Sequence, residues 1–379
     1  MDSQIIEVLN ITREAAWLPW AVSYFFLIGI SYCSFMLTLP YFIFGRAQHE
    51  RLGRLALLGA LACGLTAPVA LLADLHGPGR FLNFYLHFQP QSWMAWGALF
   101  IPVYLIGLLL YAWLALRGDF AAQGLDGTTL ITRAYRFVGR GGAASQKSIS
   151  AAALLTLVGA VLVALYTGME VMVIHARPLW NTPFLPLQFV ATAFAGAIGL
   201  SLLFNRFIGG HDTALEIDLN RVLVLSLAVV LTLGGGWLFV SLSGISASHS
   251  AAFSQVAGMP QWQLTAAWAV LATIVPIGLA IWRPASSGLI TGLIALHSAW
   301  MMRWTIFIGG QSIPKTGAGL YDYQLPLGGD GLLGIVGTWG LWIALLVLMV
   351  EYLPWAGQAF ANRNTNPTNA LATGAIAQH

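Results

Sequence analysis

The residues that settle the fold class run from Ile149 to His175, "ISAAALLTLVGAVLVALYTGMEVMVIH". No charged side chain interrupts them before Glu170. A bilayer core about 30 Å thick takes about 20 apolar residues in a helix, and this stretch supplies them. The run is continuous rather than alternating and about twice the length of a membrane β-strand, so a helix is predicted. Similar runs recur along the chain. The spans read from the sequence are 17–43, 55–73, 93–115, 149–175, 184–204, 222–243, 263–282, 288–308 and 332–353. The composition agrees, with 58% hydrophobic and 8% charged residues and a mean hydropathy of +0.75. Those values lie far from an ordinary soluble domain. The expected fold class is an all-α integral membrane protein with nine transmembrane helices. Residues 1–353 form a single polytopic domain, followed by a cytoplasmic tail, 354–379.

The basic residues predict the orientation. Arg46, Arg51 and Arg54 follow the first run, and Arg117, Arg133, Arg136, Arg140 and Lys147 follow the third. With Arg206, Arg221, Arg283 and Arg363 they place twelve of seventeen Lys and Arg on one side. Arg13, Arg80, Arg177 and Lys315 lie on the other, and Arg303 falls inside a run. The positive-inside rule then sets the N-terminus out and the C-terminus in. The opening "MDSQIIEVLNITREAAW" has no basic n-region, so no cleavable signal is expected. The net charge of +3 faces cytoplasmic lipid on this reading and gives no reason to invoke nucleic acid. Cys33 and Cys63 fall inside spans and read as packing residues. They cannot build a disulfide framework or ligate a cluster, so any iron–sulfur chemistry belongs to another chain.

Polarity concentrates on the outward side, above all in "ADLHGPGRFLNFYLHFQPQSW", residues 73–93. Asp74, Glu170, Arg177 and Arg303 lie within or at the edge of spans. A charge at the bilayer centre costs at least about 2.5–3.5 kcal/mol, so each is expected to face the protein interior with a partner or a task. Pairing of Arg303 with Asp74 or Glu170 is the plain structural alternative. Tyr166 and Glu170 are four residues apart and share a helix face. Trp17, Trp20 and Tyr24 form a stripe on the first helix, expected either to pack or to wall a ligand pocket. Aromatic walls beside buried charges suit a quinone, whose ring wants apolar contact and whose oxygens want hydrogen-bond partners. Oxidising a quinol also releases protons, which an Asp, Glu or His must accept. A haem is not expected. The eight histidines are at 49, 76, 87, 175, 211, 249, 297 and 379, and only His297 is mid-membrane. His297 alone reads as a hydrogen-bonded core residue, and no metal-ligand set is read.

Several stretches resemble the polysulfide reductase NrfD/PsrC family of membrane subunits. They are "DLHGPGRF" (74–81), "PQSWMAWGALF" (90–100), "YTGMEVMVIHARPLWNTPFLPLQFVATAFAGA" (166–197) and "MRWTIFIGGQ" (302–311). Two more, "WLPWAVSYFFLIGI" (17–30) and "IGGQSIPKTGAGLYDYQLPLGGDGLLGI" (308–335), look closest to the family's tetrathionate reductase branch. The resemblance implies a haem-free subunit of the bacterial cytoplasmic (inner) membrane, with its first eight helices in two four-helix bundles. It implies oxidation of menaquinol or ubiquinol. Electrons would pass to a ferredoxin-like 4Fe-4S subunit docked on the outward loops, then to a molybdopterin catalytic subunit that reduces a sulfur compound such as tetrathionate or polysulfide. The reverse direction would use the same parts.

Asp74, Arg80, Tyr166, Arg177 and Arg303 match family motif positions. Tyr166 is then the candidate to bond a quinone oxygen and Asp74 the candidate proton acceptor, with Glu170, His76 and His175 as possible relays. Some members carry a His at the entrance of the first helix, where this chain has "EAAWLPW". Tyr24, Trp17 and His76 are the candidates for the second quinone oxygen. A transporter or proton translocator, and a passive membrane anchor, are the competing readings.

Overall fold

A computed structural model describes residues 16–75, 77–125, 129–313 and 323–357. Among them every regular element is helical. Eight helices are long and apolar enough to cross a membrane. They are α1 (Pro19–Phe42), α2 (Glu50–Asp74), α3 (Trp93–Gln123), α4 (Gln146–Met172), α5 (Phe184–Phe207), α6 (Thr213–Leu242), α7 (Pro260–Trp282) and, after α8, α9 (Leu332–Tyr352). Residues 288–308, predicted as one of the nine spans, are helical, as α8 (Gly288–Trp304) and a π-helical segment Thr305–Gly309, with a last turn Gly310–Ser312. α8 by itself is 17 residues long.

Local chemistry explains the ends. Pro19 and Pro260 occupy first-turn positions, where a missing N–H costs nothing. Ser145 caps α4 by accepting from Ser148 N, and Asp212 caps α6 by accepting from Leu215 N. Helices outrun the predicted spans because hydropathy sees only the apolar part. α2 starts at Glu50 rather than 55, α3 runs to Gln123 rather than 115, and α6 starts at Thr213 rather than 222.

The first four long helices neighbour one another, α1 against α2, α3 against α4, with α2–α3 and α1–α4 contacts between the pairs. α5 to α8 make a second group, with α5 against α6 and α8, and α7 against α6 and α8. α1 joins the groups by packing on α5, and α9 lies outside against α2. In its most apolar window α1 is 89% buried and α9 is 11% buried, so α1 is the axis and α9 the periphery. An axial helix should be apolar all round, and "PWAVSYFFLIGISYCSFMLTLPYF" is. Two of its hydroxyls pair across the bundle. Ser31 Oγ lies 2.7 Å from Tyr104 Oη and donates to the Ala60 carbonyl at 2.7 Å, and Thr38 Oγ1 lies 2.7 Å from Tyr111 Oη.

The end of the molecule away from Asp74 is closed by arginines that the sequence offered only as topology signals. Arg51 is 8% exposed, donates to Asn205 Oδ1 at 2.7 Å, and also reaches the carbonyls of Asn205, Ile208, Gly209 and Gly210. Those carbonyls lie at the C-terminus of α5, where a cation is favoured. Arg54 bridges Glu50 and Asp119 and donates to the Trp355 carbonyl. Residues 354–357 thus begin the predicted tail by packing on Arg54, and 358–379 lie outside the described residues. Glu216 accepts from Gly288 N at 2.7 Å and pairs with His211, closing the N-terminus of α8. Cys33 and Cys63 are free and buried, and Trp342 Nε1 donates to Cys63 Sγ at 3.2 Å.

Candidate functional site

A cavity of about 240 Å³ opens at the Asp74 end of the first helix group. Trp17, Asp74, Tyr166 and Glu170 share its wall with Phe25 and a set of aliphatic side chains. Three segments far apart in sequence place them. Trp17 precedes the first turn of α1, Asp74 ends α2, and Tyr166 and Glu170 lie on one face of α4, as their spacing predicts.

Each polar group in the wall has a distinct setting. Asp74 Oδ1 accepts from Leu18 N at 3.2 Å, placing a carboxylate at the N-terminus of α1. Tyr166 stands between Tyr24 and Glu170 and interacts with both. Asp74 and Glu170 lie near enough for each charge to act on the other. Tyr24 Oη and Glu170 Oε2 are buried and meet no partner at hydrogen-bond geometry. Buried polar atoms in native folds are almost always paired; Arg303 Nε and Gln188 Oε1 are unpaired too, and what sets Tyr24 Oη and Glu170 Oε2 apart is their place on either side of Tyr166 at a cavity. Glu170 is 7% exposed and has no cationic partner among the described residues. Tyr24 is outside the cavity wall itself and backs Tyr166.

The predicted aromatic stripe divides. Trp17 faces the cavity, stacks on Phe307 at 5.0 Å and meets Phe25 at 5.7 Å. Trp20 turns the other way and covers Gly334 of α9. Gln311 holds Trp17 in place from the far end of the α8 segment. Its Oε1 accepts from Trp17 N at 3.0 Å and its Nε2 donates to the Trp17 carbonyl at 2.8 Å.

The arginines expected in the pocket are elsewhere. Arg303 is 1% exposed and bonded to neutral oxygens, Thr192 Oγ1 at 2.5 Å, the Phe189 carbonyl at 2.7 Å and the Ala299 carbonyl at 3.1 Å. It lies over the Phe189 ring at 5.0 Å, and no carboxylate among the described residues pairs with it, so pairing with Asp74 or Glu170 is overturned. Arg177 donates to the carbonyls of Gly310, Gln311 and Ile313, each at 3.2 Å, and lies 5.0 Å over the Trp180 ring. It caps the helix that ends at Ser312, in the manner of a cation at a C-terminus. Burial pushes its guanidinium below the ordinary arginine value.

Arg80 and His175 are exposed and also lie off the cavity wall. Arg80 instead borders a shallow hollow with Asn83, His87 and Gln89. His76 lies outside the described residues. His297, expected in the core, is exposed on α8, its ring edge-on to Trp268 at 5.0 Å.

Sequence reasoning missed the residues that give the cavity its shape. A Cβ on Gly97 would lie 2.4 Å from two atoms of the Tyr166 ring, so this glycine seats the tyrosine. A glycine inside a helix with no turn to make is a sign of close approach, and Gly97 carried that sign. Phe81, Phe84 and Tyr85 of the 73–93 stretch cover the cavity, which its charged residues had overshadowed.

Comparison with known proteins adds a separate line. The family model described as polysulphide reductase, NrfD matches residues 7–315. The chain is 34% identical over 365 residues to the C subunit of tetrathionate reductase from Salmonella typhimurium, covering 92% of this chain and 95% of that protein. It is 28% identical over 250 residues to the C subunit of selenate reductase from Mesobacillus selenatarsenatis, covering 61% of this chain and 58% of that protein.

Proposed function

The chain belongs to the NrfD polysulphide reductase family, and from that premise we propose that it is the quinol-oxidising membrane subunit of a multi-subunit reductase. The observation that carries the reading is Glu170 Oε2, buried and unpaired in a largely apolar cavity wall that Asp74 and Tyr166 share, with Tyr24 Oη unpaired behind Tyr166. Such walls with a few convergent polar groups suit a quinone ring. The volume, about 240 Å³, takes a ring system rather than a whole tailed molecule.

Bound there, a quinol supplies two electrons and two protons. Tyr166 is the hydrogen-bond partner for a ring oxygen, oriented by Tyr24 behind it and Glu170 beside it. Glu170 and Asp74 are the bases, both in the wall, and Asp74 sits at the loop that leads outward. Trp17 and Phe25 flatten the opposite wall and exclude water. Arg80 and His175, off the cavity wall, are candidates for the later proton path rather than for contact with the ring, and His76 keeps both its candidate roles, relay and partner of the second quinone oxygen.

In the same proposal the nine helical segments all cross the bacterial inner membrane, with the N-terminus out and the C-terminus in. The quinone is menaquinol or ubiquinol. A ferredoxin-like 4Fe-4S subunit docks on the outward loops and passes electrons to a molybdopterin subunit that reduces tetrathionate or a related sulfur compound. The tetrathionate reductase relative from Salmonella supports this substrate class. A transporter is the weaker reading, because the polar groups below Tyr166 are neutral hydroxyls bonded to one another.

The test uses the complex with its co-purifying subunits. Asp74→Asn keeps an oxygen to accept from Leu18 N but removes the base. Quinol-driven substrate reduction is expected to fall at least about 100-fold, the usual worth of a general base, while reduction by an artificial donor to the soluble subunits is retained. Equal loss of both activities sinks the assignment.

A further inference from the structure

The cavity is unevenly enclosed. On its α1 and α4 sides Ala21, Phe25 and Tyr166 are 1%, 3% and 2% exposed. On the side between α2 and α3, Leu72 is 40%, Met94 43%, Phe81 40% and Tyr85 44% exposed. α2 and α3 also touch far less than α1 and α2 or α3 and α4 do. The cavity therefore has a mouth in its α2–α3 wall, framed by Leu72 and Met94 and roofed by the loop that carries Phe81 and Tyr85.

The roof is fastened at a defined point. Pro102 lies inside α3 and has no N–H, so the carbonyl four residues earlier, on Ala98, loses its helical partner. Tyr85 Oη donates to that carbonyl at 2.8 Å. The bond thus fills a gap that the proline makes, and Ala98, Pro102 and Tyr85 all line the cavity. The far end of the loop is tied independently, by Trp96 Nε1 donating to the Pro90 carbonyl at 3.0 Å and by the edge contact of Phe88 with Trp96 at 5.2 Å.

We propose that the α2–α3 gap is a lateral portal from the bilayer. The ligand is a quinol with a long apolar tail, which leaves between Leu72 and Met94 while the ring stays inside. Tyr85 is a positioning residue that holds the roof over the tail through the Ala98 carbonyl. This rests on the quinol reading of the cavity, and it adds the route, the tail requirement and the latch. A second apolar groove, of Cys33, Leu157, Val161, Leu187 and Phe194 on the α4–α5 side, shares no lining residue with the cavity and serves as the alternative in the test.

Two measurements on the intact complex in lipid nanodiscs test it. A quinol with a photoreactive group on its tail is expected to label peptides containing Leu72 or Met94, and excess unmodified quinol should abolish the labelling. Competed labelling on the α4–α5 groove overturns the portal but leaves the quinol site standing. No competed labelling anywhere overturns the site and the portal together.

The second measurement is kinetic. Tyr85→Phe removes the latch, and Pro102→Ala restores an N–H that competes with Tyr85 for the Ala98 carbonyl. Each is expected to raise the ratio of KM for a tailed quinol to KM for a tailless one about fivefold, as loss of one neutral hydrogen bond allows. Together they should do no more than either alone, because both remove the same bond. If Pro102→Ala does not assemble, Tyr85→Phe carries the test. An unchanged ratio, or an additive double variant, overturns the latch.

Discussion

Two groups of membrane-embedded charge looked alike in the sequence and differ in the folded chain. Asp74, Tyr166 and Glu170 share the wall of a cavity, where Glu170 Oε2 and, behind Tyr166, Tyr24 Oη meet no partner at hydrogen-bond geometry. Arg177 and the two terminal nitrogens of Arg303 instead bond carbonyl and hydroxyl oxygens of the helices, and the unpaired Arg303 Nε lies away from the cavity wall. A buried charge costs the same solvation in either place. What separates them is where the hydrogen bonds go. Bonds that close on the scaffold mark a residue that holds the fold. Atoms left open beside a cavity mark one that waits for a ligand. In the sequence Asp74 and Tyr166 resemble family motif positions as Arg177 and Arg303 do, so that resemblance alone could not have sorted them.

The largest effects should come from exchanging the two behaviours. Glu170→Gln keeps size and hydrogen bonding but removes the base. It is expected to cost at least about 100-fold in quinol-driven turnover, with the thermal midpoint of the solubilised protein little changed. Arg303 should respond in the opposite way. Lysine cannot reproduce the fork that meets Thr192, Phe189 and Ala299, and it brings a more strongly hydrated charge into the same dry space. Arg303→Lys is expected to destabilise the fold by about 3 kcal/mol, read as a lowered thermal midpoint. Arg303→Met, which brings no charge, should cost less. If Lys is tolerated better than Met, the positive charge itself is needed and Arg303 belongs with the site rather than the scaffold.

The same difference explains what could be read from the chain beforehand. Fold class was legible because hydropathy reports directly on burial in lipid, and runs such as 149–175 leave no other element possible. The pairing of Tyr166 with Glu170 was legible because a four-residue spacing fixes a shared face. Helix ends were read less well. Arg51 and Arg54 lie inside α2 rather than in a loop, since charge at a helix end is invisible to a hydropathy window. Arg177 reads as a pocket candidate in the sequence because a capping arginine and a ligand-binding arginine have the same local sequence. Only the distant carbonyls of Gly310, Gln311 and Ile313 tell them apart. Tyr85 escaped notice for the same reason, its partner being a carbonyl freed by a proline seventeen residues away.

Gly97 offers the finest test of the comparison, because it touches the site without being chemical. An added Cβ would lie 2.4 Å from the Cε2 and Cζ atoms of the Tyr166 ring, so the ring has to move. Gly159 makes an equally tight contact between the same two helices, 2.6 Å from the Tyr104 Cα, but there the obstacle is backbone and lies away from the cavity. Overpacking of this kind costs about 1–3 kcal/mol. Gly159→Ala is expected to lower the thermal midpoint more, since backbone yields less readily than a side chain, and to leave quinol KM as it was. Gly97→Ala should cost less stability, yet raise quinol KM, because the displaced hydroxyl leaves its place between Tyr24 and Glu170. Should Gly97→Ala lower stability with no change in quinol kinetics, Tyr166 would be one more packing aromatic. The open oxygens around it would then have lost their claim to a ligand.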